Sequence, residues 1–347
     1  MILVSASRRL GVSALIAASG LTGGCGDGPT APTVELPAVE QVNLSSSQAG
    51  QAPVVNPNLT NPWGIAINPV SGLVWVSNNR SGTLSAYSPG GVLASGAVQV
   101  PSGVTGAGGA PTGIVYAATL DFFIPGFGPA QYLIAGEDGV ISGWNIVSGN
   151  ARVVVNRAAE LASYRGITVA GSTVYAANFR GKVVEAFDRF FGLVTSFTDP
   201  DLPPDYGPVN VQNLAGMLFV AFAKQDAATG EPVVGAGNGY LSVFSPAGTL
   251  LRRFASNGAL NAPWGLAIAP ASFGNFAGSV LVGNSGDGRI NVFDAEGTWR
   301  GALRDAEEEP IVIPGLWGLA VGPNGLLYFA AGLGGEANGL FGTLTPR

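Results

Sequence analysis

The sequence predicts an all-β chain: a six-bladed β-propeller with four-stranded blades, the last blade closed by a strand from near the N-terminus. Three observations carry this reading. One unit recurs six times, each unit holds strand-like runs divided by turn residues, and the last unit is one strand short while a spare strand lies upstream of the first. Composition agrees. Gly at 53 and Pro at 24 suit many tight turns, and 47% hydrophobic residues supply a core without any G-X-Y period.

The segment 1–24 reads as a signal peptide. Arg8 and Arg9 precede an apolar stretch at 10–21, then Thr22-Gly23-Gly24 leads to Cys25. The apolar part is too short to span a bilayer as a helix. Ser7-Arg8-Arg9 has the beginning of a twin-arginine signal, with Gly11-Val12-Ser13 where the rest of that pattern would follow. Cys25 is the only cysteine, so it forms no internal disulfide, and its place beside the cleavage point fits a lipobox in which Leu21 falls one position early. The expectation is lipidation at Cys25 and an extracytoplasmic, membrane-anchored lipoprotein in the periplasm or on the cell surface. Ordinary cleavage nearby would leave a secreted chain. Residues 25–38, rich in Pro, Gly and Thr, read as a flexible tether, and 39–347 as the propeller.

The first unit runs through Asn61-Pro62-Trp63-Gly64-Ile65-Ala66-Ile67, Leu73-Val74-Trp75-Val76-Ser77-Asn78 and Gly82-Thr83-Leu84-Ser85-Ala86-Tyr87. The fifth repeats it in Ala262-Pro263-Trp264-Gly265-Leu266-Ala267-Ile268, Val280-Leu281-Val282-Gly283-Asn284 and Gly288-Arg289-Ile290-Asn291-Val292-Phe293. Weaker copies place Gly113, Gly166, Asn210 and Gly318 beside Gly64 and Gly265, at spacings of 44 to 55 residues. A fourth run follows in most units, such as 92–100 and 249–254. The sixth unit stops after its third run, and Gln41-Val42-Asn43-Leu44-Ser45 is the piece available to complete it. Closure of this kind removes exposed edges.

The unit sequences resemble a family of uncharacterised exported bacterial propellers, more distantly similar to NHL-repeat and gluconolactonase-like six-bladed propellers. The resemblance covers about 42–342, and its most specific stretches are Asn61 to Ala66, Glu137-Asp138-Gly139-Val140-Ile141-Ser142-Gly143-Trp144, Phe197-Thr198-Asp199-Pro200, Leu260 to Gly265 and Val282 to Ile290. It implies the fold and export and brings no catalytic residue with it.

Charge and residue usage narrow the chemistry. The net charge of −6 is spread out with no basic cluster, so a nucleic-acid partner is not expected. There is no histidine, which excludes Ser-His-Asp triads, Cys-His dyads and His-ligated zinc. No P-loop lysine motif is present.

In a propeller, the loop entering the innermost strand and the loop between the second and third strands open on one face. That rule selects Asn78, Asn79, Glu137, Asp138, Asn178, Asp226, Asn284 and Asp287, together with Asn210 where sister units have Gly. Oxygen donors without His or thiolate suit Ca²⁺ or Mg²⁺, and Glu137, Asn178, Asn210 and Asn284 are the candidate ligands. The resemblance to gluconolactonase-like propellers implies the same, since those hold a divalent metal at this mouth. For Asn78, Asn178 and Asn284 a turn role competes. Trp63, Trp264 and Trp317 recur at one position, either as a stacking platform or as packing between blades. Phe122 to Phe127 offers an apolar patch if exposed, and 224–238 is long enough for a lid. The expected function is a monomeric binding or interaction module for a small molecule, glycan or protein, touching the membrane only through its anchor. The alternative is a metal-dependent hydrolase or lactonase with Glu137 as base.

Overall fold

A computed structural model describes residues 35–347 apart from 105–107 and 118; the expected signal peptide and Cys25 lie outside the described residues. Residues from Leu36 to Arg347 form one compact unit. Six antiparallel sheets stand around a channel, each innermost strand touching those of its two neighbours. Blade 1 is Pro62–Ile67, Val74–Asn78, Thr83–Tyr87 and Val98–Gln99; blade 2 is Pro111–Tyr116, Tyr132–Gly136, Val140–Trp144 and Arg152–Asn156. Blade 3 is Tyr164–Ala170, Thr173–Asn178, Val183–Phe187 and Leu193–Phe197, and blade 4 is Tyr206–Leu214, Met217–Lys224, Gly239–Phe244 and Leu250–Ser256. Blade 5 is Pro263–Ile268, Val280–Asn284, Ile290–Phe293 and Trp299–Ala302.

Blade 6 takes three strands from the C-terminal end, Leu316–Val321, Leu327–Leu333 and Asn338–Pro346, and its fourth from Val39–Ser46. That closing strand pairs Val39 with Pro346 and Ser46 with Leu340, with an irregularity between Asn43 and Ser45. The deficit read from the sequence is therefore filled by the expected segment, and the ring has no open seam.

The middle strands explain the unbroken apolar runs. Every residue of Val74–Asn78, Thr83–Tyr87 and Tyr132–Gly136 is buried, because both faces of a blade pack against neighbours. Outer strands such as Leu193–Phe197 are largely exposed. The recurring Gly marks where innermost strands come closest. A Cβ on Gly64 would stand 2.7 Å from the Thr112 carbonyl oxygen, and one on Gly265 would stand 2.7 Å from that of Trp317. Buried polar groups tie blades together. The Asp199 carboxylate, wholly buried after blade 3, receives the Arg253 guanidinium at 2.7 and 3.0 Å and the Ser242 hydroxyl at 2.7 Å, both from blade 4. Burying that charge unpaired would cost several kcal/mol.

Two expectations change. The fourth run at 92–100 forms only a two-residue strand, Val98–Gln99, paired with Leu84 and Thr83. Ala94 still donates to the Ala86 carbonyl at 2.8 Å, but Ser95, Gly96 and Ala97 leave the ladder, having little side chain to bury there. The Phe122 to Phe127 stretch is a small hairpin, Phe123–Ile124 against Gly128–Pro129. Phe122 and Ile124 are buried, Phe127 is partly buried and Phe123 is the one largely exposed aromatic, so the stretch presents no continuous aromatic patch.

Candidate functional site at the channel mouth

The starts of the innermost strands and the loops between second and third strands gather around one chamber of about 660 Å³. The residue preceding each close-approach position is Trp63, Thr112, Arg165, Val209, Trp264 or Trp317 in blades 1 to 6. Three of these are indoles that meet one another. Trp63 stacks on Trp317 with centroids 3.7 Å apart, and Trp264 sets its edge against both at 6.0 and 6.2 Å. They neither stand open as a platform nor fill separate gaps between blades. Trp63 and Trp317 line the mouth, while Trp264 lines a second chamber of about 540 Å³ walled by the innermost strands, so the cluster stands between the two.

Arg165 occupies the tryptophan position in blade 3. It is only 3% exposed, a burial that a guanidinium tolerates when its charge is answered. Its Nη2 lies 2.7 Å from Glu231 Oε2 and 3.3 Å from Glu137 Oε1. Its planar head also sits over Phe179 at 5.0 Å and Trp63 at 5.7 Å, where a desolvated cation gains from the ring faces. Arg165 Nε and the indole N–H groups of Trp63 and Trp264 are buried without a hydrogen-bond partner.

A polar chain runs around the rim. Trp317 Nε1 donates to Asn61 Oδ1 at 3.2 Å, Asn61 Nδ2 donates to Asn79 Oδ1 at 3.3 Å and to Glu336 Oε2 at 3.1 Å, and Asn79 Nδ2 donates to Glu137 Oε2 at 2.9 Å. Glu336 stands at φ 69°, in the left-handed region. Burial, followed by the charges of Glu137 and Glu231, raises its pKa above the ordinary carboxyl range, against the pull of Arg80 and Arg165.

The loop at 225–238 is a built hairpin. Asp226 Oδ1 accepts the Ala228 and Thr229 N–H groups at 2.9 and 2.8 Å, which with the Thr229 hydroxyl hold its pKa down. Asp226 N–H donates to the Glu231 carbonyl at 2.8 Å, and Gln225 bridges Pro232. Glu231, Pro232 and Val234 are thereby carried to the mouth, and the Glu231 side chain remains 59% exposed.

Of the four candidate metal ligands only Glu137 lines the mouth. Asn210 lines the chamber beyond the indoles, where its Nδ2 crosses to the Trp264 carbonyl at 2.7 Å and its Oδ1 accepts the Val211 N–H at 2.9 Å. Asn178 Oδ1 accepts from Ser163 and Gly181 N–H, and its Nδ2 donates to Glu185. Asn284 Oδ1 accepts from Asn261 N–H, and its Nδ2 donates to the Ala259 carbonyl. These contacts belong to separate parts of the ring, so the four do not form one donor set. Among the described residues, no three His, Cys, Asp or Glu side chains are grouped to hold a metal ion. Arg165, Arg80, Glu231 and Glu336 were not candidates from sequence. The signal for Arg165 was its cation in a column otherwise filled by Trp, Thr and Val.

No family model matches the chain. One uncharacterised protein of Acanthamoeba polyphaga mimivirus is 33% identical over 320 residues, spanning 87% of this chain and 78% of that protein. The chain belongs to its family. A second mimivirus member is 34% identical over 309 residues, spanning 83% and 81%. These relatives are viral, whereas the sequence resembled exported bacterial propellers. Among solved structures, a streptogramin B lyase superposes with a TM-score of 0.55 at 12% identity, covering 90% of this chain and 98% of that one. A gluconolactonase from Xanthomonas campestris gives 0.55 at 14%, covering 90% and 95%. A virginiamycin B lyase from Staphylococcus aureus with alanine in place of a histidine, catalytically inactive and bound to quinupristin, gives 0.52 at 12%, covering 89% and 99%. At these identities the likeness shows the six-bladed fold alone.

Proposed function

We propose that this propeller is a binding module that takes a small carboxylate-bearing ligand at its mouth, the carboxylate on Arg165 and a ring of the ligand beside Trp63 and Trp317. One observation carries the reading. A nearly buried guanidinium receives its closest carboxylate, at 2.7 Å against 3.3 Å for Glu137, from Glu231, a loop residue whose side chain is mostly in solvent. Glu231 then stands in for a ligand that can displace it, while Glu137 stays fixed by Asn79. Arginine's planar fork suits such a group. A lyase step that depends on histidine has no counterpart in these 347 residues, which contain none. The proposal includes export and a lipid tether at Cys25, supported by the charged, apolar and small-residue order of 1–24.

Ligand-observed NMR with D-glucuronate and D-glucose tests it. Glucuronate is expected to bind the wild-type chain and glucose not, and Arg165→Met, checked for its β-sheet circular dichroism, is expected to lose glucuronate. Equal binding of both sugars, or binding that survives Arg165→Met, overturns the reading.

A further inference from the structure

A separate cleft, of about 530 Å³, opens between blades 1 and 2, away from the mouth. Its cause is the shortened outer strand of blade 1. Val98–Gln99 covers only Leu84 and Thr83, and Ser95, Gly96 and Ala97 bow away before Ala94 rejoins Ala86. Other blades place four to eight residues on this edge. One wall therefore carries almost no side chain: a Cβ on Gly96 would meet nothing within 4 Å.

The opposite wall is aromatic. Trp75, Tyr132 and Trp144 all line the cleft, with Trp75 4.5 Å from Trp144 and 5.0 Å from Tyr132 between ring centroids. The Trp144 ring is held by its N–H on the Gly149 carbonyl at 2.8 Å. Tyr132 is 1% exposed and its hydroxyl has no hydrogen-bond partner. The neighbouring Asn68 spends Oδ1 on the Val70 and Ser71 N–H groups, so only its amide N–H faces the Tyr132 oxygen, lowering that group's pKa against the larger effect of burial, and the hydroxyl proton stays unspent. Burial raises the Tyr132 pKa far above neutrality, so the group remains a proton donor. A buried hydroxyl left unpaired is costly, and a cleft of this volume is ligand-sized.

From this combination we infer that the blade 1–blade 2 cleft binds a flat, one- or two-ring aromatic molecule carrying a hydrogen-bond acceptor, with the rings on Trp75 and Trp144 and the acceptor on the Tyr132 hydroxyl. The side chains supply no charge for an ionic ligand, and the missing wall leaves room for rings. The site is independent of the carboxylate site at the mouth.

Equilibrium dialysis of the full chain against quinoline and naphthalene tests the assignment, because the two share shape and only quinoline has an acceptor nitrogen. Quinoline is expected to bind about fivefold more tightly, the worth of one net hydrogen bond. Tyr132→Phe is expected to erase that preference while keeping ring binding. Gly96→Trp, or Ser95→Trp should the first fail to fold, is expected to fill the cleft and weaken both probes at least about tenfold with the melting temperature unchanged. No binding of either probe, equal affinity for both in the wild type, or binding indifferent to a filled cleft overturns it.

Discussion

Arg165 and Glu231 meet at 2.7 Å across the channel mouth, a cation that is 3% exposed held by a carboxylate from a loop in solvent. Their unequal burial makes the pair asymmetric, and the asymmetry is measurable. Arg165→Met removes the partner of Glu137 and empties the faces of Phe179 and Trp63, and is expected to cost about 2–3 kcal/mol. Glu231→Gln leaves Glu137 3.3 Å from Arg165 and is expected to cost less than about 1 kcal/mol. Urea unfolding of both variants checks the order.

Trp317 joins the mouth network to the indole cluster, through its N–H on Asn61 and its face on Trp63. Trp317→Ala is expected to cost about 3–5 kcal/mol, since the cavity lies on the channel axis where the rigid innermost strands cannot collapse. Near-ultraviolet circular dichroism is expected to lose intensity as the stacked pair disappears. A variant with wild-type stability and spectrum would show that the indoles do not support one another.

Two carboxylates are expected to shape the pH dependence with opposite sign. Glu336 is raised by burial and by Glu137 and Glu231, so its contribution is complete below its unfolded pKa and is lost as pH rises through the folded one. Glu336→Gln is therefore expected to stabilise the chain at neutral pH and flatten the loss across the weakly acidic range. Burial also pushes Asp199 upward, but Arg253, Ser242 and the Asp201 N–H prevail and lower it. Its stabilisation is present above the unfolded pKa and lost as pH falls through the folded value. Asp199→Asn is expected to cost most at neutral pH and least in acid. Melting temperatures of both variants across pH 4.5 and below, and at neutrality, distinguish the two signs.

The ring was legible because its repeat is enforced by contact. Gly64 and Gly265 recur where a Cβ would strike the next strand, and the closing strand was readable as a fourth run missing from the sixth unit after its third, Leu340 to Leu344. Blade 1's outer strand was not, since Val92 and Leu93 look like strand formers until the small residues after them fail to pack. Glu137 broke the repeat visibly and does line the mouth. Asn178 and Asn284 looked like possible ligands because a turn and a metal site draw on the same amide oxygens; their N–H partners show the turn. Asn210 also broke the repeat, but its amide spans to blade 5 at the Trp264 carbonyl. Glu231 could not be placed from sequence, because its reach depends on how the Asp226 turn folds the loop back over the channel.

The central claim is that Glu231 occupies the ligand's place on Arg165, and the affinity of Glu231→Gln for D-glucuronate by isothermal titration tests it most directly. Removing the internal carboxylate frees the binding-competent state, so the variant is expected to bind about five- to tenfold more tightly than the wild type. Unchanged or weaker affinity would contradict the account, because Glu231 would then be a bystander or part of the site rather than its occupant.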